Sequence, residues 1–566
     1  MKLNTKQKIA VFEFSGSTLI TASPGSGKTK TLVARAAYKL DVLPKYKAIA
    51  LITYTNAGAD EIASRLISEK NAFIGTIHSF CLEYILRPFG WIYNWNRPCV
   101  ISYEQQKDFF KQNIDINLEE HFGQNKLDEL GKIKKKLDGT LDLDVEWNHS
   151  LDLEVVASMY YNYQKELKVI DFNEILFRSY KIVSQNEFVV KSLASKFYEI
   201  LVDEFQDTNL YQYEILKTIN NHASCSFFMV GDDKQRIFSF AGAIENSFNK
   251  AEIDFNAKHV DLTETYRSTD NIVNAYSNLF EGHPIIENKS EYKNLDIDIT
   301  FIETKKDNHQ AHLDNVVKQL TEKCNIKLHE IAVLSTSWFT AFPASKALRQ
   351  KYSVVGLGAL PHKSINNSTT SLLKSLSKHC ISSNIRTLRS VKRNIERHLL
   401  ENGLQLPEKV LNKKINRLIG QFLEIHPNEN IENGILYVKA LFDKIFQISH
   451  STFDEILDLI SDEEKQNWDT EQYLKTLAGV DGITSNTIHK SKGLEFDAVI
   501  LNEMNENKIP HQKCLCRNPW TYEDLTEESI GNGRNLFYVS VSRARKYLIV
   551  LHNWKPSMFV EIIRNQ

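Results

Sequence analysis

Short β-branched, apolar runs alternate with helix-periodic stretches over the first 80 residues. Ser17-Thr18-Leu19-Ile20-Thr21 reads as a buried strand that runs into a Gly-rich turn. From Lys28 to Leu40, the residues Leu32, Ala36, Ala37 and Leu40 fall near helical spacing. An apolar run from Lys47 to Thr53 and a helical stretch from Ala59 to Leu66 repeat the alternation. Strand, helix, strand, helix predicts a parallel α/β sheet. From about Pro88 to Lys191 the pattern turns polar and mostly helical, with a loop expected around 138–150. Strand-like runs resume at Tyr198-Glu199-Ile200-Leu201-Val202, Ser226-Phe227-Phe228-Met229-Val230, Glu330-Ile331-Ala332-Val333-Leu334, Ala498-Val499-Ile500-Leu501 and Tyr547-Leu548-Ile549-Val550. The expected plan is α/β: a first core of 1–88 and 192–256 split by a helical insertion, 89–191, and a second core of 257–365 and 479–566 split by another, 366–478.

Composition narrows this plan without redirecting it. At about 100–200 residues per domain, 566 residues accommodate three to five domains. A hydrophobic fraction of 42% with 25% charged residues excludes wholesale disorder. The 69 Lys+Arg and 71 Asp+Glu leave a net charge of −2, which excludes a uniformly basic coat for nucleic acid but not a local basic groove. Residues 381–417 carry nine Lys/Arg against three Glu, a local +6, and the basic segment 386–417 reads either as a track for duplex or as a solvated helix face. No apolar run reaches the ~18 residues of a membrane span, and the first residues lack the apolar core of a secretory signal. Seven scattered cysteines, with only Cys514 and Cys516 close together, point to free thiols in a reducing cytoplasm rather than a disulfide or zinc framework.

The clearest chemistry lies in Ala22-Ser23-Pro24-Gly25-Ser26-Gly27-Lys28-Thr29, a P-loop with Ala22 in place of the first Gly. Gly25 and Gly27 let the backbone wrap an oxyanion, and N–H groups at the following helix start point at phosphates. Lys28 would reach the β/γ-phosphates and the Thr29 hydroxyl would hold Mg²⁺. The apolar strand ending in Asp203-Glu204-Phe205-Gln206-Asp207 supplies the second half of a nucleotide hydrolase: Asp203 for Mg²⁺, Glu204 to polarise the attacking water. A second acidic strand end follows at Gly231-Asp232-Asp233-Lys234-Gln235.

With these segments in order, the sequence resembles a superfamily 1 helicase of the UvrD/Rep/PcrA type. Leu3-Asn4 with Gln7 resembles the adenine-reading segment, and Thr53-Tyr54-Thr55-Asn56 and Gly75-Thr76-Ile77-His78-Ser79-Phe80 resemble two DNA-contacting segments. Gly231 to Phe238 resembles the motif in which Gln235 would sense the γ-phosphate; Tyr266-Arg267-Ser268 resembles the one whose Arg touches it. Thr487 to Phe496 resembles the segment where Glu495 would contact the ribose, and Phe537 to Ala544 the one that supplies a second arginine finger, Arg543. The resemblance implies two RecA-like motor cores, ATP and Mg²⁺ as cofactors, and movement 3′ to 5′ on single-stranded DNA and at single-strand/duplex junctions. It implies that Arg267 and Arg543 meet a phosphate, so that hydrolysis removes the charge they clamp. Tyr54, Phe238 and Phe240 fall where the family stacks bases, and Thr55, Asn56, His78 and His489 near its strand contacts.

Departures from the family pattern are Ala241 where an Arg is usual and Asn532-Gly533 in place of an acidic pair. After Arg545 only 21 residues remain, too few for the nuclease domain of the RecB branch, so a motor without its own nuclease is expected. An alternative reading is a DNA-sensing ATPase that regulates a partner nuclease, as in the compact UvrD-like proteins of anti-phage systems of the Gabija type.

Overall fold

Six strands rich in aliphatic residues pair side by side in the N-terminal half of the computed structural model: β1 (Thr18–Ala22), β2 (Ala48–Thr53), β3 (Ala72–Thr76), β4 (Phe197–Val202), β5 (Ser226–Gly231) and β6 (Lys258–Leu262). The structure describes residues 3–66, 70–95, 99–114, 130–145, 147, 151–221, 225–238, 242–282, 284–361, 368–401, 404, 406–422, 424, 429–447, 452–510 and 525–565. The strand order is β3-β2-β4-β5-β1-β6, and the pairings from β3 through to β1 are parallel. Parallel strands are covered on both faces, which is why β2 and β4 read as continuous apolar runs rather than alternating ones. Parallel register also brings the carboxyl ends of β1, β2, β4 and β5 to one edge, where the Asp203 amide donates to Ile52 O at 2.8 Å.

By its contacts the chain divides into two units: Met1–Thr21, Lys28–Asp233 and Phe238–Asp261 in the first; Ala22–Gly27, Lys234–Ile237 and Leu262–Gln566 in the second. Within the first, the polar stretch after Pro88 builds its own small core from Phe109, Phe110, Ile133, Val156 and Tyr160. Its helices include Tyr103–Asn113, Leu153–Leu167 and Phe172–Gln185. The Lys132–Lys136 run is neutralised locally: Lys134 pairs with Asp142, Lys136 with Asp144, and Lys135 with Glu174. Where a loop was expected from residue 138, the chain makes a tight turn closed by an antiparallel bridge between Lys135 and Leu141, with Gly139 at φ +95°.

The second unit holds its own six-stranded parallel sheet: β7 (Thr300–Glu303), β8 (Ile331–Ser335), β9 (Val354–Gly356), β10 (Ile483–Thr487), β11 (Phe496–Asn502) and β12 (Ala544–His552), in the order β7-β12-β11-β8-β10-β9. Between β9 and β10 the chain is helical, with Ser368–Ile381, Ile385–Glu401, Glu408–Phe422, Ile431–Phe446 and Thr470–Ala478 around a core that contains Leu376, Val391, Ile415, Phe442 and Tyr473. The basic segment lies on two of these helices, each turning an apolar stripe inward, with Lys392 paired to Glu408 at 2.7 Å.

Gly434 is a site where two effects oppose. Alanine there gains about 1 kcal/mol of helix propensity. A Cβ, however, would lie 2.4 Å from Thr470 Oγ1, which is fixed by donating to Glu429 O and Asn430 O. Overpacking of this kind costs about 1–3 kcal/mol. Gly434→Ala is therefore expected to lower stability by about 1 kcal/mol net, read as a lower urea midpoint; a raised midpoint would contradict this packing.

Candidate functional site

Ala22 is the last residue of β1 and is buried, so its extended backbone accepts a Cβ where the pattern has glycine. The left-handed conformations fall at Gly25 (φ +76°) and Gly27 (φ +82°), which a side chain disfavours. The Gly25 Cα has a second reason to be bare: a Cβ would sit 2.6 Å from both Arg267 Cβ and Thr265 Oγ1. The Thr265 hydroxyl donates to Pro24 O at 2.8 Å and the Tyr266 amide to Gly25 O at 3.1 Å. The loop Ser23–Gly27 is thus shaped against the Tyr266-Arg267-Ser268 segment. Lys28 and Thr29 open the helix α1 (Lys28–Val42), and Lys28 Nζ is buried with no hydrogen-bond partner among the described residues. A buried, unsatisfied ammonium at a helix start is a strong attractor for anionic oxygen.

In the first unit, Asp203 is buried at the end of β4 and its carboxyl is pushed up to about 7, chiefly by desolvation, with the charge of Glu204 adding and that of Lys28 opposing. Glu204 stands in the left-handed region at φ +53°, a sparsely populated backbone setting for a non-glycine residue. Gln206, not singled out from the sequence, holds this arrangement. Its Nε2 donates to Glu204 Oε2 at 2.5 Å and its Oε1 accepts from the Asp232 amide at 3.0 Å.

In the second unit the arginines converge on Ser542. Arg267 donates to Glu495 Oε2 at 2.7 Å and to Ser542 O at 3.0 Å; Arg543, 2% exposed, donates to Ser542 Oγ at 3.0 Å and to Gln235 Oε1 at 3.2 Å. The Gln235 carbonyl in turn accepts from Lys492 Nζ at 2.7 Å. Glu495, expected at a ribose, here pairs with Arg267 and approaches Arg545 at 3.7 Å.

Residues expected to touch a strand occupy varied settings. Tyr54 is 37% exposed and its ring stacks on Phe238, with centroids 5.0 Å apart. Thr55 caps the helix Asn56–Arg65, accepting from the Gly58 amide at 3.1 Å, and Asn56 is exposed at its start. His78 lies edge-on to Phe172 and is held neutral, its pKa lowered to about 4 by burial. Burial and the nearby Lys492 lower His489 as well. Gln7 is buried and closes a capping box with Asn4. Phe240 and Ala241 lie outside the described residues, as do Cys514 and Cys516.

The description of the UvrD/REP helicase N-terminal domain matches residues 3–256, and that of the UvrD-like helicase C-terminal domain matches 407–554. The chain belongs to the UvrD-type superfamily 1 helicases. It is 25% identical to the ATP-dependent DNA helicase PcrA of Staphylococcus epidermidis, across 98% of this chain and 84% of that protein. It is 27% identical to the ATP-dependent DNA helicase Rep of Buchnera aphidicola, across 100% and 96%. A probable DNA helicase II homolog of Rickettsia felis is 26% identical, across 100% and 94%.

As a UvrD-type helicase the chain is an enzyme, a hydrolase, built on two parallel-sheet cores. Its departure at Asn532-Gly533 has a packing reason, since a Cβ at Gly533 would lie 2.6 Å from Pro510 Cβ. Sequence reasoning also passed over Arg35 and Glu199. The available signal was a charged residue inside the apolar run of β4, which burial permits only with a partner.

An acid raised in the folded state costs stability above its folded pKa and nothing below its unfolded value. For Asp203 the cost develops as pH rises from about 4 to about 7. Without Mg²⁺, Asp203→Asn is expected to raise the thermal midpoint at pH 8, with the gain vanishing near pH 4. A gain equal at both pH values, measured by scanning fluorimetry, would contradict the burial of this charge.

Proposed function

We propose that this helicase hydrolyses ATP to move 3′ to 5′ along single-stranded DNA and to open duplex at single-strand/duplex junctions, acting in the cytoplasm. The observation that carries the reading is Lys28, a buried ammonium without a hydrogen-bond partner among the described residues, electrostatically coupled to the buried Asp203. A triphosphate supplies the missing anionic partner. Gly25, Ser26 and Gly27 with Ser23, Pro24 and Ala22 form its cradle, Gln7 reads the base, and Glu495 faces the ribose once released from Arg267. Glu204 orients the attacking water; Gln235, Arg267 and Arg543 stabilise charge on the transferred phosphoryl group.

Mg²⁺ fits the same residues. A buried carboxylate beside a second one, raised to about 7, is an arrangement that a divalent cation stabilises. Thr29 and Asp203 would hold the ion, which supplies neutralising charge for the phosphates, the usual division between protein and substrate ligands for Mg²⁺.

Tyr54 and Phe238, with Phe240, Thr55, Asn56, His78 and His489, are assigned to the strand, the stacked pair serving as a platform worth ~1–3 kcal/mol per base. The four-part division 1–88 with 192–256, 89–191, 257–365 with 479–566, and 366–478 is retained as the domain reading. The neutral state of His78 at pH 7 favours hydrogen bonding or stacking over a charge contact with phosphate. No observation among the described residues favours the nuclease-regulating alternative.

The test is hydrolysis with and without single-stranded DNA, alongside unwinding of 3′- and 5′-tailed duplexes. DNA-stimulated hydrolysis and unwinding confined to the 3′ tail are expected, both lost in Lys28→Ala. Hydrolysis that survives Lys28→Ala would overturn the site; unwinding from the 5′ tail would overturn the direction. Arg543→Ala is expected to lower turnover on the order of 10³-fold with nucleotide affinity largely kept. Loss confined to affinity would contradict its role.

A further inference from the structure

Arg35 and Glu199 are both fully buried and form an ion pair at 2.7 Å in the interior of the first unit. All five guanidinium N–H groups are used. Nε reaches Glu199 Oε1 and Oε2 at 3.2 and 3.0 Å; Nη1 reaches Ala10 O and Val11 O at 3.3 and 2.8 Å; Nη2 reaches Phe14 O at 3.1 Å and Glu199 Oε1 at 2.7 Å. Two of the carbonyls belong to the N-terminal helical segment Ile9–Glu13 and the third to Phe14, which caps it, at a helix end where backbone acceptors lack helical partners. Glu199 also accepts from Ser226 Oγ at 3.2 Å and lies 3.8 Å from Lys39 Nζ, so its charge is balanced from α1 and from β5.

The spacing turns this pair toward the reaction. Arg35 follows Lys28 by seven residues, two turns along one face of α1, or about 10 Å. Glu199 precedes Asp203 by four residues on the same face of the strand, or about 13 Å. Helix and strand are therefore joined directly by Arg35–Glu199 in the interior, while at the site, a comparable distance along each element, the charge of Lys28 acts on Asp203 without a hydrogen bond between them. The interior pair also carries the carbonyls that follow Gln7.

We propose that Arg35 and Glu199 are positioning residues for ATP hydrolysis, holding the P-loop helix, the acidic strand and the N-terminal segment in catalytic register. The proposal rests on the reading of Lys28 and Asp203 given above. Nucleotide binding draws mainly on the loop and Lys28, whereas turnover also needs Asp203 and Glu204 placed correctly relative to Lys28. A displacement of about 1 Å in such a constellation can lower the rate by up to 10²-fold. Losing the pair should therefore act on kcat rather than on affinity.

Glu199→Gln keeps the volume and the three carbonyl bonds while removing the charge; Arg35→Lys keeps the charge but loses the fork. Each is measured for thermal midpoint, then for ATP kcat and KM well below that midpoint. The expected result is a fall in kcat of about tenfold, with KM changed less than about threefold, in both variants. Wild-type kcat in a folded Glu199→Gln, whatever its midpoint, would make the pair structural only and overturn the proposal. So would a rise in KM at unchanged kcat. Absence of ATP turnover in the wild type, or turnover that survives Lys28→Ala, would overturn the underlying reading and this proposal with it. If Arg35→Lys does not fold, Glu199→Gln alone decides.

Discussion

A fully desolvated guanidinium is tolerated only where every donor finds an acceptor and the charge finds its opposite, and Arg35 meets both conditions. Much of the first unit follows from that requirement. Glu199 must sit in the middle of an otherwise apolar strand, α1 must cross that strand at one height, and the N-terminal segment must end where its carbonyls can be reached. Removing one partner of such a pair typically costs 3–5 kcal/mol, because the other charge stays buried alone. The arrangement thus leaves little freedom in how the helix that opens at Lys28 and the acidic strand end face one another within that unit.

The site above this anchor stays electrostatically unfinished. The Lys28 Nζ is buried without a hydrogen-bond partner among the described residues, and Asp203 is raised by desolvation and by Glu204. Isolated, each group is unfavourable; together with a polyanion and a divalent cation the charges balance. In the second unit Arg267 and Arg543 are instead satisfied by Glu495, Ser542 and Gln235. Their hydrogen bonds must be exchanged for any new partner, so engagement of the arginines is a competition between oxygen acceptors rather than simple attraction.

Charge runs that look suggestive in isolation divide along similar lines. The Lys132–Lys136 run is matched by Asp142, Asp144 and Glu174, so it closes a turn rather than advertising a binding face. The segment 386–417 retains its local excess of cations while burying Val391, Ile395, Leu411 and Ile415. An overall charge of −2 is compatible with both, because pairing is decided over a few ångströms and net charge over the whole chain.

The sequence by itself determined the strand and helix alternation, the phosphate loop, the acidic strand ends and the arginine-bearing segments. These are local signals: β-branched runs, glycines at the loop, and residue types whose chemistry depends on neighbours a few positions away. Even the substitution at Ala22 is explained locally, by its place at the end of a strand. Only the tertiary structure decided which charges meet. Arg35 and Glu199 are 164 residues apart, Arg267 and Glu495 are 228 apart, and Gln235 and Arg543 are 308 apart. No periodicity encodes such pairings. They arise because folding packs helices, strand ends and loops that are distant in sequence against one another, and because a buried charge is stable only beside its opposite. Gln206 and Ser542 escaped notice for the same reason: each lay inside a legible motif, yet its role is set by the groups that folding places around it.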